Sequence, residues 1–247
     1  MSTPRPIGIL GGMGPEATVL MMQRIISCTP AARDQDHIQL LVNSNPQVPS
    51  RIEHLIRGTG PDPAPVLAGM AQQLEAMGAR ALVMPCNTAH FYAPAITAAC
   101  GIPLISMIEA VPEAIKASGL PVRKAGILAS PAVRITGIYE APARARGLEP
   151  LYCGDEDEVL DLIQTIKAEG VTDLYRRRLG ALAAGLQAEG AECIVTACTE
   201  FSLLFDGLEA DVPAFDALNE TCRAVVGFAM QDVRHGETPG GGARGAC

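Results

Sequence analysis

The 247-residue sequence has no tryptophan, and aromatic residues of all kinds make up only 4% of it. No stretch interleaves lysine and arginine with aromatic side chains as a base-stacking surface does, and the formal charge of −8 disfavours a large nucleic-acid footprint. No apolar run approaches the ~20 residues of a membrane span, and the first residues lack a secretory signal pattern. We therefore expect no nucleic-acid partner, no membrane association and a cytoplasmic location.

The sequence also has no Cys-x-x-Cys motif among its eight cysteines, which argues against a zinc ribbon or a thioredoxin-type site. A disulfide framework is typical of small secreted domains, so in a chain of this length we expect reduced thiols. Cys86 and His90 are four residues apart and could bind a metal from one helix, but no second pair completes a tetrahedral set. We expect neither a metal nor another cofactor.

Seven short apolar runs of strand length alternate with longer amphipathic segments, and 48% of the residues are apolar. Continuous apolar strands separated by helices are typical of parallel sheets that are covered on both faces. The sequence therefore predicts an α/β fold. The predicted strands cover residues 7–10, 38–44, 79–85, 103–107, 124–130, 148–153 and 192–197.

The order of these runs repeats within the chain. RPIGILGG at 5–12 has the counterpart RKAGILAS at 123–130, and MGARALVMPCNT at 77–88 has the counterpart EGAECIVTACTE at 189–200. A nearly constant offset over several elements indicates a duplicated unit. The chain is therefore predicted to consist of two similar α/β halves.

The duplication predicts a first domain over 1–115 and a second over 116–215. Both are expected to be doubly wound parallel sheets, related by pseudo-twofold symmetry, with the active site in the cleft between them. A final helix over 216–234 has no counterpart at the repeat offset and is expected to join the first domain. Residues 236–247, rich in glycine, are expected to form a disordered tail.

The repeat places Cys86 and Cys198 at equivalent positions, each directly after an apolar strand and before a polar pair of residues. Ligands of open α/β sheets bind beyond the carboxyl ends of the strands, so two facing halves would bring both thiols to one cleft. Two thiols on opposite sides of a carbon suit a two-base reaction, in which a thiolate removes a proton from one face and a thiol protonates the other. The alternatives are ordinary buried cysteines or the redox-sensing thiols of a binding module.

The segment GILGGMGPEAT at 8–18 fits a dinucleotide-binding fingerprint. However, Glu16 would repel a pyrophosphate, and the second strand ends in Ser-Asn rather than in the acid that the fingerprint requires. The segment instead favours a turn whose backbone amides line a pocket floor, with Met13 and Gly14 near a substrate carboxylate. No nucleotide is expected.

Several motifs together resemble those of the cofactor-independent aspartate/glutamate racemase superfamily, and of its aspartate racemase branch in particular. The resemblance covers nearly the whole chain and is most specific in MPCNTAH at 84–90 combined with ACTE at 197–200. It extends to GGMGPEAT at 11–18, NSNPQVPSR at 43–51, IEA at 108–110 and Lys167. It implies an isomerase that interconverts L- and D-aspartate, or glutamate, without pyridoxal phosphate.

The resemblance also implies roles for individual residues. Cys86 and Cys198 would be the paired acid/base thiols, and Arg51 and Lys167 would hold the distal carboxylate of a small amino-acid substrate. A planar guanidinium suits the binding of this distal carboxylate, because it can donate two parallel hydrogen bonds. The other substrate-binding residues would be Met13, Gly14, Gln47, Asn87, Thr88, Thr199 and Glu200.

Two departures from the family pattern leave the substrate open. Residues 130–133 read SPAV where relatives show a Thr-x-Gly-Thr step, and Ser50 stands where an acid often precedes the arginine. The alternative is another reaction on the same scaffold, such as hydantoin racemisation or maleate isomerisation, whereas two cysteines argue against a malonate decarboxylase. We expect a homodimer, the commonest symmetric assembly.

Overall fold

The computed structural model describes residues 3–233, which form two four-stranded parallel sheets. The first sheet consists of β1 (Ile7–Gly11), β2 (Leu40–Ser44), β3 (Ala81–Val83) and β4 (Leu104–Ile105). The second consists of β5 (Lys124–Leu128), β6 (Glu149–Tyr152), β7 (Cys193–Thr196) and β8 (Ala214–Asp216). The strand orders, β2-β1-β3-β4 and β6-β5-β7-β8, are equivalent, so the predicted fold of two similar parallel α/β halves is confirmed.

Helices follow the strands in both halves. They are α1 (Pro15–Cys28), α2 (Arg51–Leu55), α3 (Ala64–Ala76), α4 (Ala93–Ala99), α5 (Met107–Ala117), α6 (Pro131–Thr136), α7 (Glu140–Ala145), α8 (Glu156–Glu169), α9 (Asp173–Ala188), α10 (Thr199–Ser202) and α11 (Ala217–Ala229). Short 3-10 turns cover Asp34–Asp36, Thr88–Tyr92 and Phe205–Gly207. From residue 3 to residue 233, no helix is long and apolar enough to cross a membrane.

The duplication is visible in how closely a helix packs on each central strand. Gly8 in β1 and Gly126 in β5 are equivalent, and a Cβ on either would come within 2.9 Å of another side chain. α3 packs on β1 near the first glycine, and α9 packs on β5 near the second. The two glycines therefore allow the same close helix-to-sheet approach in both halves.

The buried apolar residues form three clusters. One lies within the first half and one within the second, whereas the third takes Ile9 and Val83 from the first sheet and Ile127 and Val195 from the second. Leu218 of α11 belongs to this third cluster. The two halves therefore share a core.

The helices that end the two halves are exchanged across this shared core. α5 follows β4 of the first sheet and packs on α7 and β8 of the second half. α11 follows β8 of the second sheet and packs on α1, α5 and β4. The expectation that the final helix has no counterpart is wrong, because α5 is that counterpart. The counterpart was missed because β8 escaped the strand prediction. The spacing itself fits the repeat, since Met107 and Ala217, which begin the two helices, are 110 residues apart and the two site cysteines are 112 apart.

Some expectations fall outside these observations. The domain boundary between 115 and 116 lies near the C-terminal end of α5 and stays a prediction, as does the assignment of the final helix to the first domain. The tail predicted at 236–247 lies outside the described residues. The expectation of reduced thiols is wrong for Cys28, which is disulfide-bonded, whereas the two cysteines of the predicted site are free.

Candidate active site

The two cysteines predicted to meet in a cleft line one pocket of about 80 Å³. Cys86 lies in the turn after β3, and Cys198 lies in the turn between β7 and α10. Both side chains are nearly buried, with exposed fractions of 8% and 9%. The carboxyl ends of the central strands of both sheets therefore converge on the same small space, as open α/β sheets do at their ligand sites.

Nine of the eleven predicted site residues line this pocket. They are Met13, Arg51, Cys86, Asn87, Thr88, Lys167, Cys198, Thr199 and Glu200. The lining also includes residues that sequence reasoning did not assign to substrate binding, which are Ser50, Ile52, Ser130, Ile163 and Ala197. The pocket thus takes side chains from both halves of the chain.

Gly14 and Gln47 are not part of the pocket lining. Gly14 precedes α1, and its carbonyl accepts hydrogen bonds from the Thr18 amide at 3.3 Å and the Thr18 hydroxyl at 3.1 Å. Gln47 is exposed, in a turn where its backbone N–H donates to Asn45 Oδ1 at 3.0 Å. Both residues belong to the segments that carry Met13 and Arg51, but they do not line the pocket themselves.

The glycine turn after β1 has a structural reason for its sequence. Gly12 has a φ of +90°, and a Cβ there would lie 2.3 Å from the backbone of Asn45, at the end of the neighbouring strand β2. Its N–H donates to Thr18 Oγ1 at 2.9 Å. Only glycine tolerates both the left-handed backbone and this close approach. The turn in this way places Met13 in the pocket wall.

Arg51 begins α2, after Ser50 caps the helix by accepting the Glu53 N–H at 3.3 Å. Its guanidinium donates to the carbonyls of Pro49 at 3.0 Å and Met13 at 3.2 Å, and more weakly to Val48. Its Nε is buried and has no partner among the described residues. Because these partners are neutral carbonyls, the positive charge of Arg51 is not balanced by a carboxylate at hydrogen-bonding distance.

The second half of the chain positions polar side chains beside Cys86. The Tyr139 hydroxyl donates to Asn87 Oδ1 at 2.6 Å, and Thr88 Oγ1 lies 3.0 Å from Ser130 Oγ. Burial raises the pKa of Tyr139 well above its usual range, so the hydroxyl stays a donor. Asn87 Nδ2 is buried and has no partner in the described part of the chain. This amide nitrogen can therefore donate to a carboxylate bound in the pocket.

Nothing in the sequence pointed to Tyr139. It lies 52 residues from Asn87 and outside every motif, so only the packing of the halves reveals the contact. Ser130 was noted only as a departure from the family pattern. In the structure its hydroxyl remains a partner for Thr88.

Cys198 is linked through Glu200 to Lys167. Its S–H donates to Glu200 Oε2 at 2.9 Å, and Lys167 Nζ lies 3.1 Å from Glu200 Oε1. Burial raises the pKa of the Cys198 thiol well above its usual range, and the Glu200 carboxylate raises it further, while Lys167 opposes the shift. Burial opposes the charge of Lys167, but Glu200 and the two cysteines outweigh it and raise the pKa of Lys167. At neutral pH, Cys198 is thus a thiol beside a paired ammonium.

His90 holds the turn that carries Cys86. His90 Nδ1 lies 2.8 Å from the Cys86 carbonyl oxygen, and the Met107 N–H donates to His90 Nε2 at 3.0 Å. This acceptor role of Nε2 assigns the proton to Nδ1, and burial lowers the pKa of His90 to about 4. Both ring nitrogens are engaged, so His90 does not join Cys86 as a metal ligand. Within residues 3–233, no group of three or more His, Cys, Asp and Glu side chains could hold a metal ion.

Asp216 holds the equivalent turn in the second half. Its carboxylate accepts from the hydroxyls of Thr196 and Ser202, each at 2.6 Å, and from the Asn219 N–H at 3.0 Å. These donors come from β7, α10 and α11, the elements that surround the Cys198 turn. Sequence reasoning missed Asp216 because the strand that ends in it was not predicted.

The fold and the site together define a class of protein: a duplicated α/β enzyme with paired thiols in a pocket between two parallel sheets. A sequence model of the family described as Asp/Glu/Hydantoin racemase matches residues 10–225. The chain belongs to this family and is a racemase by class. The family resemblance drawn from the motifs is confirmed.

Individual relatives are similar over nearly the whole chain. The broad specificity amino-acid racemase RacX of Bacillus subtilis (strain 168) is 29% identical over 219 residues, which cover 85% of this chain and 92% of that protein. Aspartate racemase of Picrophilus torridus has a similar structure, with a TM-score of 0.81 and 26% identity over 91% of this chain and 94% of that one. Glutamate racemase of Francisella tularensis, at 15% identity and a TM-score of 0.65 over 93% of this chain and 82% of that one, shares the fold.

Proposed function

We propose that the protein is an amino-acid racemase that interconverts L- and D-aspartate by a two-base mechanism. The observation that carries this proposal is the pair of free thiols, Cys86 and Cys198, in the wall of one small buried pocket. The similarity to an aspartate racemase and to a broad specificity amino-acid racemase supports the reaction class.

The charges of the pocket support an acidic substrate. Lys167 is paired with the Glu200 carboxylate, whereas within the described part of the chain the guanidinium of Arg51 hydrogen-bonds to neutral carbonyls. Lys167 and Glu200 offset each other, so the charge of Arg51 is left for a distal carboxylate to pair with. We assign the distal carboxylate to Arg51 with Lys167 nearby. Asn87 and the hydroxyls of Thr88 and Thr199 would hold the α-carboxylate and the ammonium group.

The two thiols would divide the proton transfers between the faces of Cα. In the form favoured by the surroundings of Cys198, that residue is a thiol, so in the two-base scheme the other cysteine, Cys86, takes the role of the base. Cys86 removes the Cα proton, the electron pair is held on Cα and its carboxylate, and Cys198 gives its proton to the opposite face. The enzyme then has Cys86 as thiol and Cys198 as thiolate, which is the form that acts on the product enantiomer.

This chemistry needs no cofactor, because both proton transfers use side chains of the chain itself. Activity is expected to survive EDTA. The purified protein is expected to show no visible absorbance from a bound Schiff base. Activity that EDTA removes and added metal restores would contradict this part of the proposal.

The central test replaces one thiol at a time. Cys86→Ser and Cys198→Ser are each expected to abolish racemisation of aspartate, measured by chiral separation. The reason is that an alcohol is far too weak an acid to ionise near neutral pH, and only the ionised form could serve as the base. Circular dichroism should show an intact fold. Near-normal turnover in either variant would show that the replaced thiol is not a catalytic base.

A second measurement separates the two faces. An amino acid with a leaving group on Cβ, such as 3-chloroalanine, needs only one base to lose HCl, and the eliminated product hydrolyses to pyruvate and ammonium. Each single variant should therefore eliminate chloride from one enantiomer only, and the two variants from opposite enantiomers. A panel of L- and D-amino acids and a hydantoin tests the substrate class at the same time.

A further inference from the structure

A second cavity, of about 250 Å³, adjoins the candidate pocket. The two spaces share Lys167, Thr199 and Glu200 as lining residues. Glu16, at the start of α1, contributes a second carboxylate to the second cavity. Its apolar side chains are Ala17, Ile166, Ala168 and Leu203. The cavity thus combines apolar walls with two carboxylates, the groups that an aliphatic chain ending in a cation would contact.

The ion pair between Lys167 and Glu200 lines both spaces where they adjoin. The Lys167 side chain lies in the last turn of α8 and is 45% exposed, whereas the Glu200 side chain is only 9% exposed. A buried carboxylate is costly without a cation beside it. Lys167 supplies that cation from a flexible stem. The ion pair therefore consists of a flexible, partly exposed side chain beside a nearly buried carboxylate.

We propose that Lys167 is a specificity residue that excludes amino acids with cationic side chains, by occupying the carboxylate that would otherwise bind their cation. The second cavity is then a latent subsite for an amine or guanidinium at the end of an aliphatic chain. Glu200 would pair with that cation in place of Lys167, and the apolar walls would cover the stem. This inference rests on the proposed racemase function.

The same ion pair explains why an acidic substrate is favoured in the protein as it stands. With Lys167 present, Glu200 is neutralised and does not repel a distal carboxylate. Without Lys167, Glu200 would repel aspartate and attract a cation. Loss of one side chain should therefore change the preference from acidic to basic amino acids.

The test compares Lys167→Ala with Lys167→Met in the full chain. The alanine variant removes both the charge and the bulk, whereas the methionine variant removes the charge and keeps the bulk. The readout is exchange of the Cα proton for deuterium in lysine, in norleucine, which matches most of the lysine chain without its charge, and in aspartate. Thermal melting shows whether each variant is folded.

For Lys167→Ala, we expect kcat/KM for lysine relative to norleucine to rise roughly 10- to 100-fold over the unmodified protein, the range of a charge-assisted hydrogen bond. Aspartate turnover should fall by a similar factor. Lys167→Met should lose aspartate turnover without gaining lysine exchange, because the methionine side chain still fills the space beside Glu200. In the Lys167→Ala background, Glu16→Gln should weaken lysine but not norleucine.

Chemical rescue gives a second readout. Ethylammonium added to Lys167→Ala should restore aspartate turnover several-fold by pairing with Glu200, whereas ethanol should not. If Lys167→Ala is unfolded, Lys167→Ser takes its place in both measurements.

The inference is overturned if lysine and norleucine gain equally, which would show that only space matters. It is also overturned if the unmodified protein exchanges lysine as readily as aspartate. A protein that exchanges no aspartate, but gains lysine exchange in Lys167→Ala, would overturn the proposed substrate and leave the role of Lys167 standing. Normal aspartate turnover in the unmodified protein, with no gain of lysine exchange in Lys167→Ala, would overturn the inference about Lys167 and leave the proposed substrate standing.

Discussion

Arg51 combines a structural and a proposed binding role in one side chain. Its guanidinium holds the 48–49 segment and the Met13 turn through their carbonyls. It also lines the pocket with a charge that has no carboxylate at hydrogen-bonding distance among residues 3–233. A planar group with five donors can make these contacts and still offer others to a substrate. The two roles predict different patterns of loss across substrates.

Arg51→Ala is expected to lower kcat/KM for aspartate roughly 10- to 100-fold, because a charge-assisted bidentate contact contributes about 1.5–3 kcal/mol. Arg51→Lys should recover little, since an ammonium lacks the planar fork. The control substrates are alanine and serine, which have no distal carboxylate. An equal loss for acidic and neutral amino acids would assign Arg51 to ordering the loop alone.

At the scale of elements, the turns that carry Cys86 and Cys198 are equivalent in position but are held by different groups. His90 ties the Cys86 turn to the first residue of α5, and Asp216 ties the Cys198 turn to the first turn of α11. In both halves a buried polar side chain thus connects the cysteine turn to the exchanged helix. The backbone around each thiol is therefore coupled to the contact between the halves.

His90 makes the stability of the protein depend on pH in a defined window. Its pKa is about 4 in the folded protein and near 6.5 when unfolded, so between these values the unfolded chain binds a proton that the folded protein does not. This stabilising contribution is complete above pH 6.5 and is lost as the pH falls towards 4. The loss amounts to about 3 kcal/mol in the free energy of unfolding.

Urea unfolding of the protein and of His90→Gln from pH 4 to pH 9 tests this. The variant should be less stable at pH 8 and should lose less stability than the unmodified protein between pH 6.5 and pH 4. Above pH 7 the two curves should run parallel. Identical slopes across the acidic window would show that His90 does not titrate as its burial requires.

At the scale of the whole molecule, the two halves share one central core. Leu218 of α11 is fully buried in a cluster that draws on both sheets, and α5 and α11 each pack beyond their own half. The site lies between the two halves, so stability and site geometry depend on the same contacts.

Leu218→Ala is expected to lower the free energy of unfolding by about 2–5 kcal/mol, the cost of a buried leucine truncation. Unfolding should remain one transition, with far-UV circular dichroism and calorimetry coinciding. The matched control is Val19→Ala, at a side chain that is 64% exposed, which should change stability by less than about 0.5 kcal/mol. Two separated transitions in the Leu218 variant would contradict a shared core.

Several features of the protein were determined by local sequence alone. Continuous apolar runs at strand length predicted the parallel sheets, and the repeat predicted the duplication, because burial on both faces leaves a direct mark on composition. The position of Cys86 and Cys198 after equivalent strands brought them to one pocket. The short strand β8 was missed, since three residues leave too little pattern to detect.

Only the tertiary structure decided what surrounds the thiols. The bond from Tyr139 to Asn87 and the placement of Lys167 on Glu200 join residues that are far apart in the chain, and no local pattern encodes such contacts. The exchange of α5 and α11 likewise depends on how two amphipathic helices share one core. Sequence patterns record which face of a helix or strand is buried, whereas the partner of that face is selected by packing and charge in three dimensions.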